Sequence, residues 1–169
     1  SNFIMIKNEV SIPDNQRTIS KIITFQGIGL HSGKKCKVSI KPSMENTGIT
    51  FVRKDLQGNN SIKALWSNVT STKLCTTIAN DSGASASTIE HLMSALSGMH
   101  IDNAIVEIDS PEIPIMDGSA EPFVNLIEKV GITSQEKKRK YIRVLKEVSV
   151  QNAQGLVSIK PNNQFSINI

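Results

Sequence analysis

Glu90 and His91 are adjacent in sequence, and the pair could do hydrolytic chemistry. An imidazole can hold a metal ion, and a carboxylate beside it can take a proton from water. They open the stretch Ala86 to Met99, ASTIEHLMSALSGM, which reads as one amphipathic helix. Ile89, Leu92, Met93, Leu96 and Met99 recur at helical spacing and make one apolar stripe for a core. At about 100° per residue, Glu90 projects to the side of that stripe and His91 nearly opposite it. A core histidine would sit on the stripe, and His91 does not. A helix N-terminus disfavours a charged imidazole, so His91 should stay neutral, as a metal ligand must. A plainer reading stands beside this one. Ser87 precedes Glu90 by three, the spacing of a capping box, and Gly98 is a natural stop.

The remaining candidates do not complete a metal site. Zinc takes three or four protein ligands, and the chain has three histidines, His31, His91 and His100. The positions four residues after them hold Lys35, Ala95 and Ala104, none of them a ligand. Cys36 and Cys75 have no paired zinc spacing and no disulfide framework, which suits a reducing, cytoplasmic setting. Cys75 reads as a small core residue. Asp117-Gly118-Ser119 lies before a second predicted helix, where an acid favours the helix dipole. Gly27-Ile28-Gly29 lacks both the third glycine and the following helix of a dinucleotide fingerprint.

The elements that must position these residues follow from patterning. The chain has 169 residues, 38% apolar and 20% charged, the make-up of a globular protein with a core. Aromatics reach only 4%, so Ile, Val, Leu and Met must build that core. No apolar run is long enough for a membrane span, and no signal peptide is evident. Residues 1–16 read as a tag remnant, Ser1 to Ile4 ahead of Met5, plus an N-terminal segment. Strands are expected at Arg17–Gln26, Lys35–Lys41, Ile49–Arg53, Ile62–Trp66, Leu74–Ala79 and Asn103–Asp109. Ser119 is expected to cap a helix that carries Phe123, Ile127 and Val130 and ends at Gly131. The fold class is α+β, a two-layer sandwich of a mainly antiparallel sheet on two helices, over residues 17–136.

Residues 137–169 read as a linker and the truncated start of a second domain. Val38-Ser39-Ile40-Lys41-Pro42 recurs letter for letter 119 residues later as Val157-Ser158-Ile159-Lys160-Pro161. The matching order of elements around each copy points to duplication, with the second copy reaching only its opening strands by Ile169. Tyr141–Val150, Leu156–Lys160 and Phe165–Ile169 are its expected strands. Their open edges suit a strand-mediated dimer through residues 141–169. The net charge of +4 is scattered apart from Lys137-Lys138-Arg139-Lys140, which lacks interleaved aromatics and reads as a solvated linker, not a nucleic-acid platform.

Six motifs then resemble, in order and spacing, the UDP-3-O-acyl-N-acetylglucosamine deacetylase family. They are Gly27–Gly33 (GIGLHSG), Thr47–Phe51 (TGITF), Leu74-Cys75-Thr76, Ser87–Leu92 (STIEHL), Ile101-Asp102-Asn103 and Pro111–Phe123 (PEIPIMDGSAEPF). The resemblance implies a zinc amidase of lipid A (lipopolysaccharide) biosynthesis in Gram-negative bacteria, built from two similar domains with the active site between them. It implies His91 as one zinc ligand, Glu90 as general base and His31 as the loop histidine of the catalytic set. Leu74, Cys75 and Asp117 would line the site. Lys73 departs from relatives with an apolar residue there. The other two ligands, a His and an Asp four apart, would lie beyond Ile169, as would the family's catalytic histidine and acyl-chain passage, so this portion alone should be inactive and hold Zn²⁺ weakly. The alternative class is a non-catalytic α+β binding module, for RNA given the basic pI near 9.1. Strongly salt-dependent RNA binding would mark it.

Overall fold

In the computed structural model, which describes residues 12–140 and the backbone of 148–152 and 155–159, the elements run in this order: β1 (Asn15–Ile19), β2 (Ile23–Ile28), β3 (Lys35–Pro42), β4 (Ile49–Arg53), β5 (Ser61–Lys63), a 3₁₀ turn (Trp66–Asn68), β6 (Val69–Ser71), β7 (Thr77–Ala79), β8 (Ser85–Ser87), α1 (Glu90–Gly98), β9 (Ala104–Ile108), α2 (Glu121–Val130), β10 (Ile132–Lys138), β11 (Val148–Asn152) and β12 (Gly155–Ile159). The chain divides into two compact units, Ser1–Arg139 and Lys140–Ile169. The expected strand Phe165–Ile169 and most of Tyr141–Val150 lie outside the described residues.

The first unit is α+β, as patterning predicts. Its main sheet has the order β2-β3-β9-β4-β5, antiparallel except where β4 runs parallel to β9. Alternation in β3 buries Cys36, Val38 and Ile40 on one face, and β9 adds Ala104, Val106 and Ile108. Leu92, Ala95 and Leu96 of α1 and Phe123 and Ile127 of α2 share one core with them. Each large apolar side chain so buried is worth roughly 1.5–3 kcal/mol. The rings of Phe25 and Phe123 lie 5.6 Å apart, tilted by 57°, and seat α2 on β2. None of the described helices is long and apolar enough to cross a membrane.

Several expectations need correction. Arg17–Gln26 is two strands, because β1 leaves the main sheet to pair with β10 while Ser20 donates its N–H to Gly131 O at 2.9 Å. Lys137 and Lys138 are therefore in a strand, and Arg139 pairs with Asp102 at 3.0 Å, so this basic run is not a free linker. Helix α1 starts at Glu90, four residues later than predicted, because Ser85–Ser87 pair with β7 and Thr88 turns the chain at φ 57°. The Ser87 hydroxyl accepts from Thr77 Oγ1 at 3.0 Å, and no capping box forms. Helix α2 has Ala120 as its N-cap; Ser119 Oγ accepts Glu121 N–H from one residue farther out, at 3.3 Å.

The first three residues of the repeated pentapeptide keep their register. Val38, Ser39 and Ile40 oppose Phe25, Thr24 and Ile23, and Val157, Ser158 and Ile159 oppose Val150, Ser149 and Val148. Each copy is the second strand of an antiparallel hairpin. The connections differ, for β2 and β3 are joined by residues 29–34, including His31, and β11 and β12 by residues 153–154 only.

Candidate active site

Three segments converge at the N-terminal end of α1. The first is its own approach. Ser87 N–H donates to Pro111 O at 2.8 Å, and Ile113 N–H to Ser87 O at 3.0 Å, which stitches the turn before the helix to the loop after β9. Thr88 is 2% exposed and holds a positive φ that a β-branched residue rarely adopts. The second segment carries Leu74 and Cys75. Thr76 N–H donates to Glu90 Oε2 at 3.1 Å, and Thr76 O accepts Ile89 N–H at 3.4 Å. Thr76 thus grips the first turn from both sides and ties the segment that carries Cys75 to it. The third segment is the loop of residues 110–120 with Asp117.

Glu90 and His91 are both half-buried at the helix start, and no hydrogen bond among the described residues engages the His91 imidazole. Asp117 Oδ1 accepts the Ser119 hydroxyl at 2.7 Å and N–H at 2.9 Å. These bonds hold the exposed Asp117 carboxyl below its ordinary value.

His31 joins the group through its main chain. Its N–H donates to both Glu112 oxygens, at 2.8 and 3.1 Å, while its side chain is exposed and makes no described hydrogen bond. Glycine is required under this loop. A Cβ on Gly29 would overlap Glu112 Oε1, and one on Gly27 would lie 2.7 Å from Pro114 Cβ. Exposed apolar residues flank the polar ones in sequence: Leu30 next to His31, Leu74 next to Cys75 and Met116 next to Asp117.

Cys75 is half-buried beside the first turn and outside the core, contrary to its core reading. Cys36 is the core thiol, pushed up to about 11 by burial and by the Asp109 charge. His100 sits at the far end of α1. Among the described residues no three His, Cys, Asp or Glu side chains stand close enough to hold a metal ion. His91, Glu90, Cys75 and Asp117 are all of ligand type, yet among the described residues they do not make a zinc set. Sequence reasoning missed Glu112, Thr88 and Thr76. Each lies inside one of the six motifs, Thr76 in Leu74-Cys75-Thr76, Thr88 in Ser87–Leu92 and Glu112 in Pro111–Phe123, but no spacing marked any of them.

A family model described as UDP-3-O-acyl N-acetylglycosamine deacetylase matches residues 16–169. The chain is 49% identical over 152 residues to the UDP-3-O-acyl-N-acetylglucosamine deacetylase of Shewanella violacea, covering 90% of this chain and 50% of that protein. The enzyme of the same name from Syntrophus aciditrophicus is 49% identical over 152 residues, with 90% and 48% covered. That from Shewanella halifaxensis is 47% identical. The chain spans about half the length of the curated relatives it matches.

Proposed function

The chain belongs to the UDP-3-O-acyl N-acetylglycosamine deacetylase family, and from that premise we propose that it supplies one half of a zinc-dependent deacetylase site. The reaction is hydrolysis of the N-acetyl amide of UDP-3-O-acyl-N-acetylglucosamine, releasing acetate and the free amine, in cytoplasmic lipid A biosynthesis. One observation carries the reading: a histidine whose imidazole makes no hydrogen bond among the described residues, next to a carboxylate fixed by a backbone N–H, both on one helical turn.

His91 enters as one donor of a set that the described residues do not complete; the family resemblance assigns the others to a second domain. Zinc, when bound, lowers the pKa of coordinated water and polarises an amide carbonyl. Glu90 is the general base. Thr76 occupies Oε2 and orients the carboxylate, which leaves Oε1 to receive the proton. His31, on a loop anchored by its main chain, is the loop histidine that the resemblance adds to the catalytic set. Asp117, Leu74 and Cys75 line the edge of the site. The exposed apolar residues beside these groups suit a substrate with an acyl chain.

The test is amine release from UDP-3-O-acyl-N-acetylglucosamine by the full-length protein. Turnover should vanish with a chelator and return with zinc. Turnover that ignores the chelator, or none from zinc-loaded protein, contradicts the reading.

A further inference from the structure

We propose that Glu112 is the positioning residue of this site, the group that sets the His31 loop and the Glu90–His91 turn relative to one another. Its carboxylate is 3% exposed and has no Lys or Arg partner among the described residues. A buried charge without a counter-ion is costly unless polar groups saturate it. Here they do. Oε1 accepts His31 N–H at 2.8 Å, Ser32 N–H at 3.1 Å and the Ser32 hydroxyl at 3.3 Å. Oε2 accepts His31 N–H at 3.1 Å and the Thr88 hydroxyl at 3.3 Å.

These donors come from two segments that carry the proposed chemistry. Successive N–H groups of His31 and Ser32 close on an anion as a backbone nest does, and this fixes where the His31 side chain leaves the loop. Thr88, two residues before Glu90, is held in a strained conformation that sets the direction in which α1 begins. Main-chain pairing of Ser87 with Pro111 and Ile113 brings Glu112 to this spot. An anchor on one segment would fix that segment alone. This carboxylate bridges two, and small displacements between acid–base groups are expensive in rate.

The proposal rests on the reading of His31 and Glu90 as a working pair, and the test separates the two. Glu112→Gln keeps the shape but turns one acceptor into a donor facing N–H groups. In the 169-residue chain, amide protection at His31 and Ser32 should fall about tenfold or more while Val106 in the core keeps its own. In the zinc-loaded full-length enzyme, kcat should fall about tenfold or more with KM nearly unchanged, and Glu112→Asp should recover part of the loss. If Glu112→Gln does not fold, Thr88→Val, which deletes one donor to Oε2, should show the kcat loss at smaller amplitude. Uniform loss of protection with normal kcat overturns the proposal, as does a local loss with normal kcat. His31→Gln then identifies the fault. If it lowers kcat, the link through Glu112 alone has failed; if it does not, the catalytic reading of His31 has failed as well.

Discussion

Helix α1 is bounded at both ends by a non-glycine residue with positive φ, Thr88 at 57° and His100 at 56°, and at each end a carboxylate collects nearby donors. At the C-terminal end Asp102 Oδ2 accepts Arg17 N–H at 2.8 Å and pairs with Arg139 at 3.0 Å. The two guanidinium groups also donate to Met99 O and His100 O, at 3.0 and 3.1 Å. Cations on the last carbonyls suit the negative end of the helix dipole. His100 N–H to Ser97 O and Ile101 N–H to Leu96 O complete a Schellman close. Charge is matched by charge there. At the N-terminal end Glu112 faces only neutral donors, and Glu90 and His91 remain half-exposed with capacity unspent. The same device is closed at one end and left chemically open at the other. The C-terminal end should thus govern stability and the N-terminal end activity.

The largest stability effect should come from the closed end. Asp102→Ala strips Arg139 of its carboxylate and the Arg17 N–H of its acceptor, and should cost about 2–3 kcal/mol in denaturant unfolding. Turnover of the full-length enzyme well below its melting point should be unchanged; a fall in turnover would mean that the ends are not separable. Gly29→Ala breaks the open end, because the new Cβ has no room against Glu112. It should cost about 1–2 kcal/mol and also lower kcat, which Asp102→Ala should not.

Much of this contrast could be read from the sequence only in outline. The alternation of Cys36, Val38 and Ile40 and the stripe of Leu92 and Leu96 gave the sheet and the helix face, because local periodicity follows burial directly. The start of α1 did not follow, because Ser87 is claimed by β7 and the loop after β9, partners distant in sequence. For the same reason the Ser87–Glu90 spacing suggested a cap, whereas Glu90 answers to Thr76. Arg139 reads as solvated charge because its partner Asp102 is distant in sequence, with β9 and α2 between them. Glu90 and His91 could be picked out by type and adjacency, but Glu112 acts through contacts 80 residues away and leaves no spacing signal.

A smaller effect separates the ends by pH. Burial, then the charges of Arg139 and Arg17, hold His100 below its ordinary value of 6.5. Its folded value lies below the unfolded one, so its share of stability is complete above about 6.5 and is lost as pH falls through the folded value. His100→Asn, which tolerates positive φ and does not titrate, should flatten that part of the stability profile. An unchanged slope would place the pH dependence elsewhere. The smallest stability effect is expected at Leu74, 83% exposed beside the open end. Leu74→Ser should shift stability by less than about 0.5 kcal/mol. If Leu74 lines the site, KM for the acylated substrate should rise; an unchanged KM would remove it.

The most direct measurement takes zinc content and turnover together in the full-length enzyme, for Glu90→Ala and His91→Ala. Glu90→Ala should keep its zinc and lose turnover by roughly 10² or more, since only proton transfer is removed. His91→Ala should lose zinc and turnover together. Zinc lost from Glu90→Ala, or turnover untouched by it, would contradict the assignment of base and ligand to the first turn of α1.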